Sequence, residues 1–212
     1  WKDIGFSPDG IVSGIGKGLL FGLVCSVFAY TIECIVLLFL HGNVHLSFYA
    51  SGFSLTNEKV SQAGISLILS SVLFNLINVW MEEGVFRGLF TKILEGISYR
   101  KSLFFIAFLF GIWHLVMPLR DYLQGESSLV NLIVMGIGYV ILAGMMSIKW
   151  SLLYKMTGSL WFGLGDHFFN NLASNLVHVV SNSEADSLQI VRILLWQLLS
   201  FAIVLWGYQK RN

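Results

Sequence analysis

Long apolar runs separated by short polar breaks dominate the chain, and their lengths decide the element type. Val60 to Met81, Ser102 to Leu119 and Ser127 to Ile148 carry no charge, while Gly18 to Leu40 and Ser187 to Gln209 carry one each, Glu33 and Arg192. A sixth run, Met156 to Val180, is interrupted by Asp166. A helix needs about 20 apolar residues to cross hydrocarbon, and these runs match that length. The pattern therefore predicts an all-α fold, a polytopic transmembrane bundle of about six helices forming a single domain over residues 1–212.

The breaks organise the rest. Residues 1–17 mix Gly, Ser, Pro and Asp and read as a surface lead-in, and His41 to Ser61 reads as an outer loop. The second helical pattern does not stop at Glu82, Glu83 and Arg87, because nothing breaks a helix before Gly96-Ile97-Ser98. That predicts one helix of about 35 residues, roughly 50 Å long, with protruding last turns. Pro118 closes the third span, and a Gly turn with a Ser N-cap, Thr157-Gly158-Ser159, starts the fifth helix. Asn182 to Asp186 reads as an acidic outer loop. The chain opens on Trp1 rather than Met and reads as a segment of a longer protein.

Composition agrees with a lipid solvent: 56% of residues are hydrophobic and 12% charged, against roughly a quarter charged in soluble domains. The net charge of +1 offers no basic face for nucleic acid, so the partner expected from composition is membrane lipid. Six spans starting inside place Lys2, Lys17, Lys92, Arg100, Lys101, Lys149, Lys155, Lys210 and Arg211 on the cytoplasmic side. Only Lys59 and Arg120 fall outside, as the positive-inside rule requires. Both ends are thus expected in the cytoplasm, at a cell membrane. Cys25 and Cys34 fall on opposite faces of one helix, out of bonding reach.

Ionisable groups at bilayer depth are costly and mark functional sites by default. Asn75, Asn78 and Glu82 share one face of the second helix, while Glu83 and Arg87, four apart, suit an ion pair. If the turn after this helix centres near residue 98, Glu82 and His114 lie at one level of an antiparallel hairpin. On the fifth helix His167 and Asn171 share a face, with Asp166 and Asn170 on the adjacent one. Glu33 and Arg192, both toward the outer halves of their spans, are candidates to pair. His41 and His45 are expected to be exposed, and nothing in the sequence gives His178 a role.

This set suffices for peptide-bond hydrolysis. A carboxylate beside an imidazole can hold and deprotonate water, and a second imidazole with an amide N–H can stabilise the oxyanion. A metal site is an open alternative, with Zn²⁺ held by Glu82, His114 and His167, though no His-Glu-x-x-His pattern demands it. A transporter is disfavoured by the lack of inverted repeats.

In order along the chain stand Glu82-Glu83-x-x-x-Arg87, Phe110-x-x-x-His114 and His167-x-x-x-Asn171. The chain thereby resembles the type II CAAX prenyl endopeptidase and bacteriocin-processing (CPBP, Abi-type) family over roughly residues 60–180. The resemblance implies an intramembrane endopeptidase in which Glu82 and His114 activate water. His167 and Asn171 would form the oxyanion site, and Glu83 with Arg87 would support the catalytic helix. Members are often labelled metalloproteases, and a metal-free glutamate mechanism is equally compatible with these residues. A non-catalytic immunity or scaffold protein of the same fold is the alternative, and the short loops suit a compact bacterial form.

Overall fold

The computed structural model describes residues 1–50 and 65–211. Helices make up 77% of it, in agreement with the all-α expectation. The chain divides into two compact units. Unit one comprises residues 1–9, 82–160 and 201–212, and unit two comprises residues 10–81 and 161–200. Residues 51–64, which hold most of the expected outer loop and the start of the second span, lie outside the described residues.

Unit two is built on α1 (Ile11–His41) and α7 (Trp161–Leu176). Lipid supplies no hydrophobic drive between helices, so close backbone approach through small residues does the packing. A Cβ on Gly18 would stand 2.3 Å from the Phe162 carbonyl oxygen, and one on Gly22 would stand 2.8 Å from the Phe169 ring. Gly14, Gly18 and Gly22 thus form one groove in which α7 lies. The first span starts at Ile11, inside the segment expected to be a surface lead-in, and these glycines are the reason.

Five helices among the described residues are long and apolar enough to cross a membrane, rather than six. The exception is Met156 to Val180. Its helix α7 has 16 residues, about 24 Å of rise, and the chain then continues as β2 (Val177–Ser181). That strand pairs with β1 (His45–Phe48), set in the expected loop, and with β3 (Glu184–Ala185) in an antiparallel sheet ordered β1-β2-β3. Val-His-Val-Val supplies the β-branched character that ends the helix. Asn182 and Ser183, at φ 49° and 66°, turn β2 into β3, the positive-φ pair of a tight hairpin.

The sheet is closed by charges. Arg192 of α8 (Gln189–Gln209) donates a hydrogen bond to Glu33 at 2.6 Å and forms an ion pair with Asp186 at 3.0 Å, so the Glu33–Arg192 pair forms. His178 Nδ1 meets Asp186 at 2.6 Å, its Nε2 meets the Tyr49 carbonyl at 3.1 Å, and its ring stacks on Tyr49. His178 therefore has a structural role that the sequence did not disclose. His41 and His45 are exposed, although His41 also bonds Ser181. The two cysteines are free.

In unit one, α4 (Tyr99–Trp113) packs on α6 (Leu129–Thr157). A Cβ on Gly111 would come within 2.7 Å of the Val140 carbonyl oxygen, which fixes α4 against the α6 backbone. The third expected span is two helices, α4 and α5 (Val116–Leu123). Pro118 lacks the N–H that would bond the carbonyl of His114; the Met117 N–H reaches that carbonyl instead, at 3.3 Å. His114 consequently sits at a break between helices.

Candidate active site

The second long helix runs from Ile65 to Ile93 without a stop, shorter than the expected 35 residues as far as it is described. It is not uniform. α2 (Ile65–Glu82) gives way at Glu83–Leu89 to a π-helical turn, with the Phe90 N–H bonded to the Val85 carbonyl, before α3 (Phe90–Ile93) resumes. Such turns insert a residue into the helical repeat and recur at functional sites. Here the turn carries Glu83, Arg87 and their neighbours directly after Glu82. Space for it comes from two glycines: Phe6 packs over Gly84, and the Ile4 carbonyl over Gly88. The lead-in residues are thus the close neighbour that Gly84 admits.

Glu82 is 3% exposed. Its Oε1 accepts a hydrogen bond from the Trp113 indole N–H at 2.9 Å. That bond ties the carboxylate to the residue preceding His114, and Phe86 meets Phe110 edge to face at 4.9 Å beside it. His114 is half-buried, and its Nδ1 lies 2.8 Å from the Phe110 carbonyl oxygen. A carbonyl only accepts, so Nδ1 is the donor in that bond, and in the neutral ring Nε2 is left with the lone pair. The ring rests on Phe110 at 4.5 Å between centroids.

Glu83 and Arg87 are both fully buried and 3.5 Å apart. The Arg87 guanidinium lies 4.0 Å from the Phe110 ring centroid and 5.0 Å from that of Trp150, contacts that suit its planar, weakly hydrated cation. Trp150 on α6 and Phe110 on α4 thus seat the π turn on two neighbouring helices. Lys149, expected at the cytoplasmic flank, is 1% exposed in the interior of unit one, its Nζ 5.1 Å from the Trp150 ring.

The other two expected residues lie in unit two, on α7. His167 is 2% exposed and Asn171 half-buried. Asn171 accepts from the Asn170 amide at 3.3 Å, and Asn170 in turn accepts from Gln197 of α8 at 2.6 Å. Gln197 was not singled out from the sequence, where it is one polar residue in an apolar run. Asn175 of α7 donates to Asn75 of α2 at 3.4 Å, and Trp80 meets Trp161 edge to face. Asn75 therefore docks the second span onto α7.

Residues 64–173 match the type II CAAX prenyl endopeptidase Rce1-like family. The chain belongs to this family. The matched region, just over half of the chain, contains every expected site residue from Glu82 to Asn171. Rce1-like proteins are generally proteases, and with five apolar helices among its described residues this member is a multi-pass membrane protein. No curated protein and no solved structure matches the chain.

Among the described residues no three His, Cys, Asp or Glu side chains are grouped to hold a metal ion. Catalytic Zn²⁺ ordinarily takes three protein ligands. Of the three expected ligands, Glu82 and His114 belong to unit one and His167 to unit two.

Proposed function

We propose that this chain is an intramembrane endopeptidase that hydrolyses a peptide bond of a membrane-associated peptide or protein. Glu82 is the general base and His114 its partner. Water held between Glu82 and His114 Nε2 gives its proton to Glu82 as its oxygen attacks the scissile carbonyl carbon. The carboxyl proton then passes to the departing amine nitrogen as the C–N bond breaks, which leaves one acid, one amine and an ionised Glu82. His167 and Asn171 are assigned to the oxyanion as hydrogen-bond donors. The chain lies in a cell membrane with both ends in the cytoplasm.

The observation that carries the reading is the Glu82–Trp113 bond. It ties a buried carboxylate to the residue that precedes His114 in sequence, and the His114 Nδ1–Phe110 bond supports Nε2 as the basic atom of the neutral ring. The family match supports a protease, and the seating of Glu83 and Arg87 among aromatic rings supports a rigid base. Purified protein incubated with membrane-anchored peptides should release a new N-terminus, detected by mass spectrometry. A protein that folds and releases none from a broad peptide set fits the non-catalytic alternative instead.

A further inference from the structure

The last turns of α6, the first turn of α4 and the turn after α3 border a cavity of about 500 Å³ in unit one, within the size range of small-molecule sites. None of its lining residues is among those assigned to hydrolysis. Leu103 and Ile106 supply apolar wall, and Tyr99, Ser102, Ser151 and Tyr154 bring hydroxyl groups. The Ser102 hydroxyl is used locally, donating to the Leu94 carbonyl at 3.3 Å. The hydroxyls of Tyr99 and Ser151 differ: both oxygens are buried, and neither has a hydrogen-bond partner among the described residues. Ser151 as a whole is only 7% exposed. A buried hydroxyl without a partner is costly, so two of them on one cavity suit a polar ligand.

The charges decide the sign of that ligand. Lys155 is exposed and lines the cavity, its Nζ 5.1 Å from the Tyr99 ring centroid. The lining carboxylate, Glu95, is already met by Lys92 at 2.9 and 3.0 Å. α4 begins at Tyr99, and the first turn of a helix adds backbone N–H groups and positive partial charge. Cation and hydroxyl donors together fit an anion with several acceptor oxygens. Tyr99 and Thr157 also end two of the apolar spans, Tyr99–Leu123 and Leu129–Thr157. Such ends lie at the headgroup level of a bilayer, where basic pockets between helices take anionic lipid headgroups.

We propose that this cavity is a binding site for a phosphate group, held by the Lys155 ammonium and by hydrogen bonds from the Tyr99 and Ser151 hydroxyls. An anionic phospholipid headgroup and inorganic phosphate share this chemistry. The site goes beyond the endopeptidase reading and stands whether or not the chain cleaves peptides.

The test has two arms. In the first, the full chain in nanodiscs of mixed phosphatidylglycerol and phosphatidylcholine is released into native mass spectrometry, and the retained lipid is identified. In the second, melting of the delipidated protein in detergent is followed as inorganic phosphate is added, against chloride at equal ionic strength. Wild type should retain phosphatidylglycerol over phosphatidylcholine. Lys155→Gln should weaken that preference about fivefold, as expected for one cation near a lipid surface, and Tyr99→Phe about as much for one hydrogen bond. Lys101→Gln removes an exposed charge that does not line the cavity and should change little. If lipid retention shows no preference, but phosphate raises the melting temperature of wild type and not of Lys155→Gln or Tyr99→Phe, the proposal stands with free phosphate as the source. A response in neither arm overturns it. So does a loss as large in Lys101→Gln as in Lys155→Gln, or no loss in Tyr99→Phe, since either result means general attraction to a basic surface. Ser151→Ala takes the place of Tyr99→Phe if the latter does not fold.

Discussion

At the scale of single residues, the site depends on side chains whose partners are specific in shape as well as charge. Arg87 shows this best, because its flat cation faces Phe110 and Trp150 while one edge meets Glu83. Lysine keeps the charge and loses the plane. Arg87→Lys is therefore expected to destabilise the protein by about 1–3 kcal/mol, within the range for disturbed buried networks. A lower melting temperature would show it, and unchanged melting would mean the aromatic seat contributes nothing. The Glu83–Arg87 spacing was legible from the sequence because an i, i+4 pair is a local fact. Lys149 was not, since hydropathy alone cannot tell a lysine at a helix flank from one that an adjacent helix encloses.

Single elements give two further tests. Pro118 creates the break at which His114 sits by withholding one N–H. Pro118→Ala restores that donor and should let α4 and α5 join, carrying the His114 ring off the Phe110 carbonyl. Activity is expected to fall with no loss of thermal stability; retained activity would show that the break is incidental. In unit two, Gly18→Leu places a side chain where the Phe162 carbonyl and the Asp166 amide stand. Overpacking of this kind costs about 1–3 kcal/mol, and it should lower the melting temperature far more than Gly16→Leu, where a Cβ meets nothing. The apolar lengths gave most helices correctly, but Gly-rich residues 10–17 looked like a lead-in because composition masks a small-residue packing face. The π turn has no local signature either, since it is imposed by Phe6 and Ile4 packing against Gly84 and Gly88. β2 could have been foreseen: Val177-His178-Val179-Val180 holds three β-branched residues, and only the surrounding hydropathy hid it.

For the molecule as a whole, the sheet end should make stability depend on acid. Burial alone would raise the Asp186 pKa, but the His178 hydrogen bond, the Arg192 charge and the Val179 N–H outweigh it and hold it below the usual carboxylate range. A group whose folded pKa is depressed stabilises above its unfolded pKa, about 4 for aspartate, and that contribution is lost as pH falls through the folded value. The melting temperature should therefore drop below about pH 4, and Asp186→Asn should flatten this part of the profile. Equal slopes in the two proteins would remove Asp186 as the cause. The family motifs could be read at this scale because their order along the chain survives whatever separates them in sequence. How α7 is seated could not, because Gln197 and Asn75 hold it across long sequence separations.

The central claim is that Glu82 and His114 perform hydrolysis. The most direct measurement is cleavage of a membrane-anchored fluorogenic peptide by purified wild type, Glu82→Ala and His114→Ala, each verified as folded by its melting transition. Loss of a positioned acid–base group should lower kcat by roughly 10²- to 10⁴-fold, with chelator leaving the wild-type rate in place. Variants that turn over peptide as fast as the wild type would contradict the account.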